Sequence, residues 1–145
     1  MGEQEVHRLP HAKITVEARA GYLHVVATGT LETIAEVDGY HALMQRIMER
    51  TGIRQALVDV RGQTSEPSPD VRQRAWDWLG SGQGYERVAY LVSETAELKR
   101  THINMTGLSH KVKIRSFHEV KEAHRWLTIP ASPSTGRKGA SSGEP

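Results

Sequence analysis

Two short apolar runs constrain this chain most: Gln55-Ala56-Leu57-Val58-Asp59-Val60 and Val88-Ala89-Tyr90-Leu91-Val92. Each is too short for a helix and too continuous for a strand with one wet face. Such runs read as strands buried on both faces, which is the habit of a parallel sheet covered by helices. Between them lies a helix signal. Ser68-Pro69 offers a good N-cap followed by a proline suited to the first turn. Val71, Ala75, Trp78 and Leu79 then recur at helical spacing before the glycines of 80–84. Strand, helix, strand of this kind is a parallel crossover unit.

The rest of the chain extends the pattern in both directions. Lys13–Ala18 alternates, with Ile14 and Val16 against Lys13, Thr15 and Glu17. Ala20-Gly21 reads as a turn, and Tyr22–Thr28 as the second arm of a hairpin. Thr33-Ile34-Ala35-Glu36 fits a capping box, and an apolar stripe from Ile34 to Met48 predicts a helix ending at Thr51-Gly52. Further on, Ser93 to about Gly107 reads as a helix, Val112–Arg115 as a strand and Glu119–Leu127 as a last helix. The predicted order is β-β-α-β-α-β-α-β-α. The fold class is therefore α/β, a single-domain mixed sheet in which an N-terminal hairpin precedes βαβαβα units. Residues 13–127 form this domain, 1–12 an N-terminal extension, and 128–145 a Ser/Pro/Gly-rich tail expected to be disordered.

Composition mostly excludes. The chain has no cysteine, so disulfide scaffolds, cysteine zinc sites and thiol nucleophiles are out. Lys+Arg is 19 against Asp+Glu 17, a formal charge of +2, which gives no mandate for nucleic acid. The eight histidines show no metal spacing, and the expectation is no metal and no cofactor. No apolar run reaches membrane-span length, so stable membrane association is not expected, and the cytoplasm is the default compartment. Gly80-Ser81-Gly82-Gln83-Gly84 follows a helix and precedes a strand, the reverse of a dinucleotide loop, and reads as a flexible connector. From Leu98 to His118 there is no acid, while Lys99, Arg100, Lys111, Lys113 and Arg115 are all basic. This stretch is either a solvated face or a surface for an acidic partner.

The loop with most chemistry is Arg61 to Asp70. It leaves the carboxyl end of a buried strand, where open α/β sheets place their sites, and it ends at a helix start. Free amides and the helix dipole there would favour a phosphate, bound or covalent, unless Ser68 simply caps the helix. Candidate partner-binding residues are Arg61, Thr64, Ser65, Glu66, Asp70, Arg72 and Trp76. Trp76 lies off the main stripe, so it is either an exposed anchor or a ring half-buried along the core edge. No nucleophile, base and orienter set can be assembled, so an enzyme is not expected.

With Leu57-Val58-Asp59-Val60 feeding a serine-bearing loop and helix, the chain resembles the STAS domain of bacterial anti-sigma-factor antagonists and sulfate-transporter tails. Ser116-Phe117-His118 followed by Glu122-Ala123-His124-Arg125-Trp126-Leu127 looks more like the SpoIIAA-like, or STAS/CRAL-TRIO-like, branch. The resemblance covers roughly Lys13 to Leu127. It implies a non-catalytic regulatory module that binds a protein partner, such as a kinase-like anti-sigma factor or another signalling protein. It also implies phosphorylation in the loop after the third predicted strand. The antagonists' Asp-Ser-Ser-Gly places its first serine on Ser68, while Pro67, Pro69 and Asp70 replace the flanking residues. The branch name implies an alternative, a small apolar ligand or lipid held between helices and sheet.

Overall fold

In a computed structural model, residues 4–65, 67–93 and 112–129 are described. Glu66, the helix expected from Ser93 onward, the basic residues Lys99, Arg100 and Lys111, and the tail from residue 130 lie outside the described residues.

The described residues form one six-stranded sheet and three helices. The strands are β1 (Gln4–Arg8), β2 (Ala12–Arg19), β3 (Tyr22–Gly29), β4 (Gln55–Gly62), β5 (Arg87–Leu91) and β6 (Lys113–Phe117). The helices are α1 (Ile34–Thr51), α2 (Pro69–Gly80) and α3 (Val120–Thr128). Strand order in space follows the chain, β1-β2-β3-β4-β5-β6. β1, β2 and β3 pair antiparallel, and β3 to β6 pair parallel. The mixed sheet, the hairpin and the parallel crossovers agree with the sequence reading.

β1 was not expected, since residues 1–12 read as an extension. Gln4–Arg8 pairs with β2 from Gln4↔Glu17 to Arg8↔Lys13. Val6 is its only large apolar residue and stays exposed. A polar, charged strand of this kind suits a sheet edge, where it discourages pairing with another chain.

Crossovers of one hand along a straight strand order bring α1 and α2 to the same face. There Leu43, Met44, Ile47 and Met48 of α1 and Leu79 of α2 pack on Ile14, Val25, Val58 and Val88. α3 covers the other face, where Ala123 and Leu127 meet Leu57, Ala89 and Leu91. Phe117 and Trp126 pack ring against ring at its edge, 5.8 Å between centroids. The middle of β4 is thus buried on both sides, which explains the apolar Ala56-Leu57-Val58.

The helix ends follow local chemistry. Thr33 and Glu36 form the reciprocal capping box of α1, and Gly52 ends it in the left-handed conformation at φ 74°. α2 starts differently. Ser68 holds the N-cap position but makes no side-chain cap bond.

Candidate functional site

Between α1, α2 and the sheet lies a cavity of about 170 Å³. Residue size explains why it is there. Toward the end of α1, large side chains fill the space above the sheet. Toward its start, α1 stands over small residues. The β2/β3 register sets Ala12 beside Gly29 and Ile14 beside Ala27. All four line the cavity, with Val58, Val60 and Tyr90 continuing the floor across β4 and β5. Val37, Tyr40 and His41 of α1 form one wall, and Val71, Arg72, Ala75, Trp76, Trp78 and Leu79 of α2 the other. Gly29, at φ 81°, cannot carry a side chain, because a Cβ would collide with the His11 carbonyl.

The wall is aromatic as well as apolar. His41 stacks on Trp78, and Trp78 meets Tyr85 edge-on at 5.3 Å. The hydroxyls of Tyr40 and Tyr85 share a hydrogen bond of 2.7 Å. The connector after α2 is tied down rather than loose. Arg54 donates to the carbonyls of Gly82 and Gly84, and Gly84 lies against the Trp78 ring where a Cβ would clash. Burial keeps the ionisable groups neutral: it lowers His41 to about 4 and raises Tyr40 to about 12. Burial also pushes the Tyr90 phenol up, and its hydroxyl makes no hydrogen bond among the described residues. The Trp78 indole N–H is buried without a hydrogen-bond partner among them.

The cavity sits toward the carboxyl ends of β3 and β4. There its rim includes Thr30, Gln63, Pro67 and Arg72. Thr30 is buried and holds the loop after β4. Its hydroxyl accepts from the amides of Thr64 and Ser65 and donates to the Ser65 carbonyl. Those two amides are therefore used internally. The start of α2 is occupied as well. Ser68 Oγ donates to Asp70 Oδ1 at 2.7 Å. That bond, then the backbone amides of Asp70 and Val71, holds the Asp70 carboxyl below its usual range. The loop thus presents a carboxylate where the sequence reading looked for free amides.

The residues singled out from the sequence divide into three groups. Arg61 forms a two-pronged ion pair with Asp59, 3.0 and 2.8 Å. Both side chains lie on the α3 face, because strand alternation sets them opposite Val58 and Val60. Arg61 is therefore separated from α2 by the sheet. Thr64, Ser65, Ser68 and Asp70 are exposed in the loop and at the helix start. Arg72 and Trp76 turn inward and line the cavity, so Trp76 is the half-buried ring of the two readings. Tyr40 and His41 fall within the apolar stretch of α1, Trp78 in the stripe of α2 and Tyr90 in a buried strand, so sequence pattern alone does not single them out.

No family model and no curated protein matches the chain. A solved structure does: an uncharacterized protein of the DUF3478 family with a SpoIIAA-like fold, from Shewanella loihica PV-4. The two share 21% identity at a TM-score of 0.61, over 83% of this chain and 97% of that one. The chain is thus an α/β protein with a STAS/SpoIIAA-like fold, as the resemblance implied. No described helix is long and apolar enough to cross a membrane.

Proposed function

We propose that this is a non-catalytic binding protein whose ligand is a small, largely apolar molecule held in the cavity between α1, α2 and the sheet. One observation carries the reading: a cavity of about 170 Å³ whose wall is almost wholly apolar and aromatic. An engineered apolar cavity of roughly 150 Å³ binds benzene, so this one takes a body of about one ring or a short acyl segment. Its place at the carboxyl ends of parallel strands is the usual one for small-molecule sites in α/β sheets.

The other reading, a regulatory module switched by phosphorylation of Ser68 and recognised by a signalling partner, has less support. It rests on likeness of fold, and fold alone does not carry function. A phosphate on Ser68 would lose the bond to Asp70 and stand beside that carboxylate, an unfavourable pairing.

Native mass spectrometry of the gently purified full chain, paired with titration by toluene, tests the proposal. A copurifying small molecule, or saturable binding of toluene, supports it. A clean apo mass together with no toluene binding overturns it.

A further inference from the structure

One polar group inside the cavity is both enclosed and unspent. Tyr90 stands on β5, between β4 and β6, and lines the cavity floor. Its hydroxyl makes no hydrogen bond among the described residues. The surrounding protein encloses the phenol deeply enough to push its pKa up. The oxygen nevertheless keeps accessible surface, whereas the unpartnered Trp78 indole nitrogen is sealed. Surface that is enclosed by protein and still accessible belongs to a hollow. The Tyr90 hydroxyl therefore opens on the cavity that its side chain lines.

A second hydroxyl stands near it. Tyr40 and Tyr85 hold each other at 2.7 Å, and neither hydroxyl has another hydrogen bond among the described residues. Tyr85 is 2% exposed and does not line the cavity. Its hydrogen is satisfied only by donating to Tyr40, and leaving a buried donor unmade is costly. Tyr40 is then the acceptor, and its own hydrogen is left over on a side chain that lines the cavity. Tyr40 is also close enough to Tyr90 to act on it electrostatically.

Resting on the binding function proposed above, we infer that the ligand is a small neutral ketone or aldehyde whose carbonyl oxygen accepts a hydrogen bond from the Tyr90 hydroxyl and a second from Tyr40. Its apolar body fills the rest of the cavity. A carbonyl oxygen has two lone pairs and no hydrogen, so it uses both spare donors and adds none. A water is a poorer occupant, because it brings two hydrogens of its own to a wall that is otherwise almost wholly apolar.

The test titrates the full chain with acetophenone and with α-methylstyrene, which has the same shape but a CH₂ in place of the carbonyl oxygen. Three indole N–H signals in a ¹H–¹⁵N spectrum report binding. Trp76 and Trp78 line the cavity, while Trp126 packs on Phe117 and Arg87 on the opposite face and serves as a control. Both probes are expected to move Trp76 and Trp78 and leave Trp126. Tyr90→Phe keeps the ring and removes the hydroxyl. It should weaken acetophenone about tenfold and leave α-methylstyrene unchanged. With ¹³C-labelled acetophenone, the bound carbonyl carbon should resonate downfield of its position in hydrocarbon solvent and move back upfield in Tyr90→Phe. Joint replacement, Tyr40→Phe with Tyr85→Phe, strands neither hydroxyl and should also weaken acetophenone alone. If α-methylstyrene binds but Tyr90→Phe alters neither the acetophenone affinity nor its carbonyl signal, the carbonyl inference falls and the cavity reading stands. Tighter binding of 1-phenylethanol than of acetophenone also overturns it, by showing that the site prefers a hydroxyl. If neither acetophenone nor α-methylstyrene moves Trp76 and Trp78, the binding function itself fails, and this inference with it.

Discussion

His41 lies flat on Trp78, with ring centroids 4.2 Å apart and planes 9° from parallel. The stack joins α1 to α2 across the cavity and leaves His41 only 8% exposed. It works with a neutral imidazole. Burial lowers its pKa from 6.5 to about 4; the Asp38 carboxylate works against this and the Arg74 guanidinium adds to it, both more weakly. The unfolded chain therefore takes up this proton first as pH falls, and stability drops between pH 6.5 and about 4. His41→Phe keeps the stack and removes the titration. Urea melts at pH 7 and pH 4.5 should show the wild type losing roughly 2 kcal/mol more than the variant. Equal losses would refute a neutral, buried His41.

A second titrating contact stands at the start of α1. Glu36, buried, accepts from the His11 amide at 2.8 Å and from the His11 ring at 3.0 Å, as well as closing the capping box with Thr33. It thereby ties the β1–β2 turn to the helix. Burial raises its pKa, but the bonds from His11, then from the Glu32 amide, outweigh this and bring it to about 2. A lowered carboxyl stabilises the fold above its unfolded pKa near 4.5 and ceases to do so as pH falls toward 2. The same bond raises the pKa of His11, whose contribution is complete below 6.5 and fades as pH rises through its folded value. Glu36→Ala should cost about 3 kcal/mol at pH 6, since several donors lose their acceptor together. Urea denaturation should also show that loss shrinking toward pH 2. A loss that stays constant across this range would assign the effect to packing.

Much of this was legible in the sequence and some was not, for physical reasons. The hairpin, the capping box and the buried β4 and β5 declare themselves through local periodicity and caps. β1 does not, because Gln4-Glu5-Val6-His7-Arg8 offers a single apolar residue and gains its place only by pairing with β2. The cavity is a matter of register. Ala12, Ala27 and Gly29 are unremarkable along the chain, and their meeting beneath the first half of α1 depends on which residues pair across β2 and β3. A side chain that bounds a hollow has the same helical spacing as one that fills a core, so Trp78 and Tyr40 carried no separate signal. The split between Arg61 and Trp76 was more accessible. Asp59 and Arg61 alternate with Val58 and Val60, which already sends them to opposite faces.

Ser68 offers a test that separates capping from other roles. A serine that caps a helix through its hydroxyl costs about 1 kcal/mol when changed to alanine. Here the hydroxyl donates to Asp70, and the Asp70 carboxylate stands in the first turn of α2, where the helix dipole favours a negative charge. Ser68→Ala should therefore change stability by less than about 0.5 kcal/mol, within the range of an ordinary surface substitution. Asp70→Ala should cost more than Ser68→Ala. Thermal melts of the two variants decide the matter. A Ser68→Ala loss as large as that of Asp70→Ala would restore the serine as the working cap.

Filling the cavity should separate stability from binding. Ala75 faces the hollow from α2, between Val71 and Leu79, and its side chain is small where the wall has room. Leucine is nearly as good a helix former as alanine, so Ala75→Leu adds apolar volume at little cost to the helix. In a packed core the same change would cost about 1–3 kcal/mol through overcrowding. In an open cavity it recovers contacts that the lining atoms lack. The variant should be more stable by about 1 kcal/mol, a typical gain for cavity filling, and should lose toluene binding. Calorimetric melts and the Trp76 and Trp78 indole signals measure the two effects on one sample. A gain in stability that leaves toluene binding intact would place the ligand elsewhere, and a loss in stability would mean that the space is already filled.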